Sequence, residues 1–320
     1  MRYIARRLLH AILLLVGVSV LTFVFSELAP GNFFDDMKLN PQISPETVAA
    51  LKAQYGLDQP LYRRYGRWVQ SLAHGHMGFS FAYDTEAMPL IWSRARNTLL
   101  LTATSLFIAW ALAILLGTWS ATRAGRLGDK TLVATSSVLL SIPELVFALM
   151  LLVVSVRTRA FAIGGMTALD SEHFGLIAQL RDLIWHMAIP VAVLVLGVVP
   201  VLFRHVRASM LEVLDAPFIQ AARANGIHGR MLLYQQALPA AANPLISLFG
   251  ISVAGLLSGS LLVEVITGWP GLGPLVLDAI MNRDIYVVIG AVMLSTVFLI
   301  AGTLVADLAL VACDPRIRAE

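Results

Sequence analysis

Seven histidines, twenty carboxylates and one cysteine are the groups from which this 320-residue chain could build a catalytic or metal centre. The histidines (His10, His74, His76, His173, His186, His205 and His228) are scattered. His74 and His76, the closest pair, are two residues apart and so do not share a helical face. The sequence holds no His-Glu-x-x-His zinc helix, no Walker phosphate loop and no Gly-x-Ser-x-Gly nucleophile turn. Cys313 stands alone, which excludes an intrachain disulfide and a cysteine metal cluster. No catalytic residue, bound cofactor or metal ligand is therefore assigned. If ATP drives this protein, another chain must hydrolyse it.

Two polar features remain. The first is Gln220-Ala221-Ala222-Arg223-Ala224-Asn225-Gly226, followed by Leu238-Pro239. Asp215-Ala216-Pro217 reads as a helix start and Gly226 as a left-handed stop, giving a helix of about two turns. Ala221 and Ala222 would allow close approach, and Arg223 offers a fixed charge to a carboxylate. The segment is either a surface linker or a docking helix. The second feature is Glu144, the one acid deep inside an apolar run. A carboxylate is costly in lipid, so it should line a pathway or face a neighbouring helix.

The elements that must position these residues are apolar. The chain is 58% hydrophobic and 13% charged, with a mean hydropathy of +0.77. A soluble domain carries about 25% charged residues. Six runs reach the roughly 20 residues needed to span a bilayer as helices, near 8–28, 97–121, 132–156, 183–203, 244–264 and 286–311. The first is too long for a signal-peptide core and lacks a cleavage site, so it reads as an uncleaved span. Glycines within the spans (Gly117, Gly197, Gly255 and Gly302) read as close-packing points.

With the N-terminus inside, short cytoplasmic segments carry twelve Lys or Arg residues, whereas short external loops carry only Arg157, Arg159, Arg181 and Arg283. This asymmetry predicts both termini on the cytoplasmic side. The basic pI of 9.2 is read as part of the same signal, with no nucleic-acid partner implied. The external 29–96 loop reads as two short helices. One starts at Ser44-Pro45 and carries Val48, Leu51 and Tyr55. The next starts after Pro60 and carries Leu61, Tyr65, Trp68 and Leu72, a face expected to pack on its sister helix or at the membrane interface. Glu264 and Trp269 fall at the external mouth of span five, with Trp269 as a candidate interfacial anchor.

The spacing Ala221-Ala222-x-x-x-Gly226, with Leu238-Pro239 following, resembles the ATPase-coupling loop of ABC-importer permeases. Gln220 stands where that pattern has Glu. Further matches run along the chain: Leu28-Ala29-Pro30-Gly31, Tyr55-Gly56-Leu57-Asp58-Gln59-Pro60-Leu61, Arg96-Asn97-Thr98-Leu99, Ile142-Pro143, Asn243-Pro244-Leu245, Gly268-Trp269-Pro270-Gly271-Leu272-Gly273 and Asp314-Pro315-Arg316-Ile317-Arg318. Together they are similar to the B-type permease subunits of dipeptide, oligopeptide and nickel importers. Gly75-His76-Met77-Gly78 departs from that family's Gly-Asp-Leu-Gly, and Glu144 stands where a small hydroxyl residue is common.

The resemblance implies an all-α, type I importer transmembrane domain in the bacterial inner membrane. Its parts are the first span (1–28), a helical external subdomain (29–96), a five-span core (97–311) with a coupling loop at 205–243, and a tail (312–320). It implies a second homologous permease, two ATPases that bind ATP and Mg, and an external solute-binding protein. Gln220, Ala221, Ala222, Arg223, Gly226, Leu238 and Pro239 would contact the ATPases through a helix near 217–229. Glu144, Glu264 and Trp269 are candidates for the translocation path. An ion-coupled secondary transporter is the rival, but it would need several paired acids or bases inside the membrane. A membrane hydrolase lacks its motif.

Overall fold

Twenty-seven residues, Arg2–Leu28, form the first helix, α1, and their apolar side chains face outward along most of its length. The computed structural model describes residues 2–28, 44–54, 56, 58–168 and 170–313. The Ala29-Pro30-Gly31 match, Tyr55, Leu57 and the Asp314–Arg318 match lie outside the described residues. The chain divides into two compact units, Met1–Thr98 with Pro270–Ile300, and Leu99–Trp269 with Ala301–Glu320.

In the first unit, α2 (Pro45–Gln54) and α3 (Leu61–Ala73) follow α1. The Ser44 hydroxyl accepts the Thr47 N–H at 3.2 Å, closing the start of α2. Among the described residues the aromatic face of α3, expected on its sister helix or at the membrane interface, packs on the first span. Trp68 and Phe23 are both buried, and Phe23 meets Tyr65 edge-on at 5.5 Å. The Arg64 guanidinium donates to Glu27 at 2.8 Å, and the Trp68 indole N–H donates to the Met77 carbonyl at 3.0 Å. Satisfied polar tips of this kind let large aromatic side chains enter a core.

A two-stranded hairpin, β1 (Phe79–Ser80) and β2 (Thr85–Glu86), pairs Phe79 with Glu86 and Ser80 with Thr85. Buried Asp284 anchors it, accepting from the Ser80 hydroxyl at 2.6 Å and the Ala82 N–H at 3.2 Å. The next helix, α4 (Ala87–Ala121), starts ten residues before the expected span. Arg94, Arg96 and Asn97 end the apolar run but do not break a helix.

In the second unit α5 (Leu127–Ser141) and α6 (Glu144–Thr158) replace the expected straight third span. They bend by 97° at Ile142-Pro143. Proline has no N–H to continue the helix, and it drives the residue before it to extended geometry; Ile142 has φ −98° and ψ 119°.

The longest helix, α7 (Leu176–Leu214), has 39 residues and supplies much of the core, including Val193, Leu194, Leu202, Val206 and Met210. At 1.5 Å per residue it is about 58 Å long, so it continues eleven residues beyond the expected end of span four. After it come α8 (Pro217–Ala224), an irregular stretch through 229–240 and α9 (Ala242–Thr267). The remaining helices are α10 (Leu272–Met281), in the first unit, and α11 (Ile285–Cys313), which crosses from the first into the second. Among the described residues five helices are long and apolar enough to cross a membrane, and the α5–α6 pair makes a sixth if counted as one span.

Close packing at glycine is selective. A Cβ on Gly117 would lie 2.7 Å from Val206, and one on Gly302 would lie 2.5 Å from Val253, whereas Gly255 has nothing within 4 Å. Among the described residues nothing packs against Gly255.

Candidate functional site

The 217–226 segment is set by its termini. Asp215 caps the end of α7, and Ala216 is extended, as the residue before proline tends to be. Pro217 then occupies the first turn of α8. The helix is pinned by Ile219, which is completely buried in the core of the second unit. Gln220, Ala221, Arg223 and Ala224 are exposed, and Ala222 is partly buried against that core.

The helix ends at Ala224, not at 229. Asn225 donates to the Ala221 carbonyl and Gly226 to that of Arg223, and Gly226 takes φ +84°. Few side chains adopt that conformation without strain. A Cβ on Gly226 would touch nothing within 4 Å, so its requirement is conformational.

The chain returns through a turn of wide π-helix at Leu232–Ala237, which packs against α8. Pro239 follows. It cannot donate to the carbonyl of residue 235, and its ring crowds that group, which favours a widened turn. Leu238 is partly buried against the core, and Pro239 is exposed.

Glu144 opens α6 on the far side of the bend. It therefore sits in the first turn of a helix, where the helix dipole favours a carboxylate, and not in the middle of a continuous span. Its side chain fills a notch between two glycines. A Cβ on Gly197 of α7 would be 3.3 Å from Oε1, and one on Gly259 of α9 would be 2.7 Å from Oε2. Among the described residues no hydrogen bond or ion pair reaches this carboxylate.

Glu264 and Trp269 are fully buried. The Trp269 N–H donates to the Glu264 carbonyl at 2.9 Å around left-handed Gly268, and the Gly268 carbonyl accepts the Gly165 N–H at 3.1 Å. This is a packed cap on α9, so Trp269 is not an interfacial anchor. Glu264 lies five residues beyond Gly259 on α9, about 7.5 Å along the axis from the Glu144 notch. The docking segment is remote from both: Gly197 and Leu214 are separated by about 26 Å along α7.

Sequence reasoning missed one feature of this region. Asp129 is buried and gathers four donors. Arg207 gives Nε at 2.6 Å and Nη2 at 2.8 Å, the Gly125 N–H is at 2.8 Å, and the Ser120 hydroxyl is at 2.5 Å. The knot ties the α4–α5 turn to α7 seven residues before that helix ends. Its only sequence signal is an acid within an otherwise basic turn that holds Arg123, Arg126 and Lys130.

The sequence matches the family described as binding-protein-dependent transport system inner membrane component over residues 113–319, and its N-terminal companion over residues 1–102. It is 35% identical over 318 residues to the oligopeptide transport system permease AppB of Bacillus subtilis, covering 99% of each chain. It is 32% identical over 337 residues to the dipeptide transport system permease DppB of Escherichia coli, again covering 99% of each. An inward-facing structure of the MetNI methionine ABC transporter matches with a TM-score of 0.58 at 18% identity, covering 71% of this chain and 97% of that one. That likeness supports the fold. The two family matches together run nearly end to end, and the relatives are full-length permeases of peptide transport systems. The chain therefore belongs to the binding-protein-dependent transport system inner membrane component family, as a multi-pass permease of the ABC peptide-importer branch.

Proposed function

We propose that this permease imports peptides or related small solutes by alternating access, driven by two partner ATPases that bind ATP and Mg and dock on α8. A second homologous permease completes the pathway, and an external binding protein delivers the solute. Both termini and the 205–243 segment face the cytoplasm. The observation that carries the reading is α8 itself: a short exposed helix with a small-residue surface, anchored by buried Ile219 and stopped by Gly226. It directly follows a core helix long enough to reach from the bilayer to a soluble partner.

Closure of the ATPases shifts α8, and α7 carries the shift about 26 Å to Gly197, which borders the Glu144 notch. The two states must bind the ATPases unequally, since otherwise nucleotide could not shift their populations. Among the described residues half-buried Glu144 has no cation or donor on its carboxylate, so it can attract the ammonium group of a peptide.

The test is solute uptake into vesicles reconstituted with both permeases, the ATPases and the binding protein. Uptake should require ATP and the ATPases and should stop with vanadate. Uptake driven by an ion gradient in vesicles lacking the ATPases would replace this reading with secondary transport.

A further inference from the structure

A cavity of about 850 Å³ opens in the second unit, remote from the Glu144 notch. One wall is the last turns of α4, and a second is the start of α5. The third comes from Arg230, Leu233 and Tyr234, just past the docking segment. Three guanidinium groups, those of Arg123, Arg126 and Arg230, border it, and all three residues are exposed. Arg123 lies over the Trp119 ring at 4.5 Å. Among the described residues no carboxylate pairs with Arg123, Arg126 or Arg230. The nearest buried acid, Asp129, is fully engaged by Arg207, Ser120 and Gly125.

The rest of the lining is of the opposite character. Leu115, Leu132 and Leu233 form an apolar floor, and Trp119 and Tyr234 stand at its edge, each more than a third exposed. Gly128 makes this shape: a Cβ there would lie 2.6 Å from the Trp119 indole, so only glycine lets the ring lie across the first turn of α5. The arginines at 123 and 126 follow directly on the end of a membrane-length helix, which places them at headgroup depth beside aromatic side chains suited to that level.

We infer that this crevice is a binding site for an anionic phospholipid, with the phosphate held by Arg126 and Arg230 and an acyl chain lying along Leu115, Leu132 and Leu233. Guanidinium groups bind phosphate oxygens bidentately, whereas the Thr122 and Thr131 hydroxyls in the lining are spent on the Trp119 and Gly128 carbonyls, so the arginines carry the recognition. Basic pockets between transmembrane helices select anionic headgroups in this way. A soluble anion would use the arginines and leave the apolar floor bare, so the combination favours an amphiphile. The inference depends on neither the transported solute nor the identity of the ATPases.

The test uses the assembled transporter, reconstituted in an equal mixture of phosphatidylglycerol and phosphatidylethanolamine, extracted gently and weighed by native mass spectrometry. The wild-type complex should retain phosphatidylglycerol preferentially. Arg126→Ala with Arg230→Ala should cut that retention by about thirtyfold, with partner subunits still co-purifying. Replacing both arginines by Lys should restore part of it, which separates charge recognition from misfolding. Equal retention of the two lipids, or retention unchanged in the double Ala variant, overturns the site. Displacement of the lipid by millimolar inorganic phosphate overturns the lipid assignment in favour of a free anion. A photoreactive side chain placed at Tyr234 should label lipid; labelling of an ATPase or the second permease instead would make the crevice a protein interface and refute the inference.

Discussion

Removing the Asp129 carboxylate should damage both stability and coupling, and the size of the loss follows from its surroundings. The side chain is only 3% exposed, and the Arg207 side chain is 25% exposed. Asp129→Ala strips acceptors from two guanidinium nitrogens, a hydroxyl and a backbone N–H at once. Breaking a buried ion pair costs about 3–5 kcal/mol because the remaining charge is left uncompensated. Arg207 can recover some hydration through its exposed quarter, so the lower end, about 3 kcal/mol, is expected. Arg207→Met should cost less, about 2 kcal/mol, because Asp129 keeps the Ser120 and Gly125 donors. The double variant should be little worse than Asp129→Ala alone, giving a coupling free energy near 2 kcal/mol. A double-mutant cycle on denaturant unfolding of the purified complex measures it. Additivity within about 0.5 kcal/mol would show that the pair does not act as a unit. The single variants should also lower solute moved per ATP hydrolysed, since Arg207 braces α7 about 10 Å before it ends beside α8.

Gly226→Val should insert normally yet lose transport-stimulated ATP hydrolysis; a β-branched residue is strained at φ +84° although nothing sterically opposes its Cβ. Wild-type coupling in that variant would remove Gly226 from the docking role. Glu144→Gln keeps the shape of the notch and removes its charge. It should reduce uptake of cationic or zwitterionic solutes while assembly and basal ATP hydrolysis persist, whereas failure of assembly would point to a structural carboxylate. Gly117→Leu should destabilise the chain by about 1–3 kcal/mol by forcing α4 away from Val206 of α7, read as a lower thermal midpoint. In sealed cells with Cys313 replaced by Ser, an impermeant thiol reagent should label Ala50→Cys and spare His228→Cys. Labelling of 228 from outside would reverse the proposed orientation.

The parts of the fold written in local sequence were readable. Ser44-Pro45, Pro60 and Asp215-Ala216-Pro217 each mark a helix start in the structure, because capping and proline geometry are decided within a few residues. The bend at Ile142-Pro143 was hidden inside 25 apolar residues. Hydropathy does not distinguish a kinked helix from a broken one, and packing makes that choice. The Asp129–Arg207 knot joins residues 78 apart, so no window of sequence contains it. Trp269 illustrates the same limit: an indole beside glycines at a helix end suits a lipid interface, and only the packed cap on α9 shows that it is enclosed. Glu144 was legible as an acid in an apolar run, whereas its notch depends on glycines supplied by two other helices.

The right-angle elbow between α5 and α6 has a consequence for biogenesis. Each arm has fifteen residues, about 22 Å, and with a 97° bend the pair spans about 30 Å end to end, roughly the hydrocarbon thickness. Counted as one span, the pair would carry two helix termini, with their unpaired peptide groups, to a depth where water is absent. Ser141, Pro143 and Leu145 are exposed there, so the described residues do not cover the elbow. Each bare peptide group would cost several kcal/mol against lipid tails. A solitary subunit so placed would be a high-energy orphan in the bilayer. In the proposed assembly it should be short-lived unless the second permease or a water-filled lumen closes over the elbow, which would make its persistence depend on synthesis of that partner.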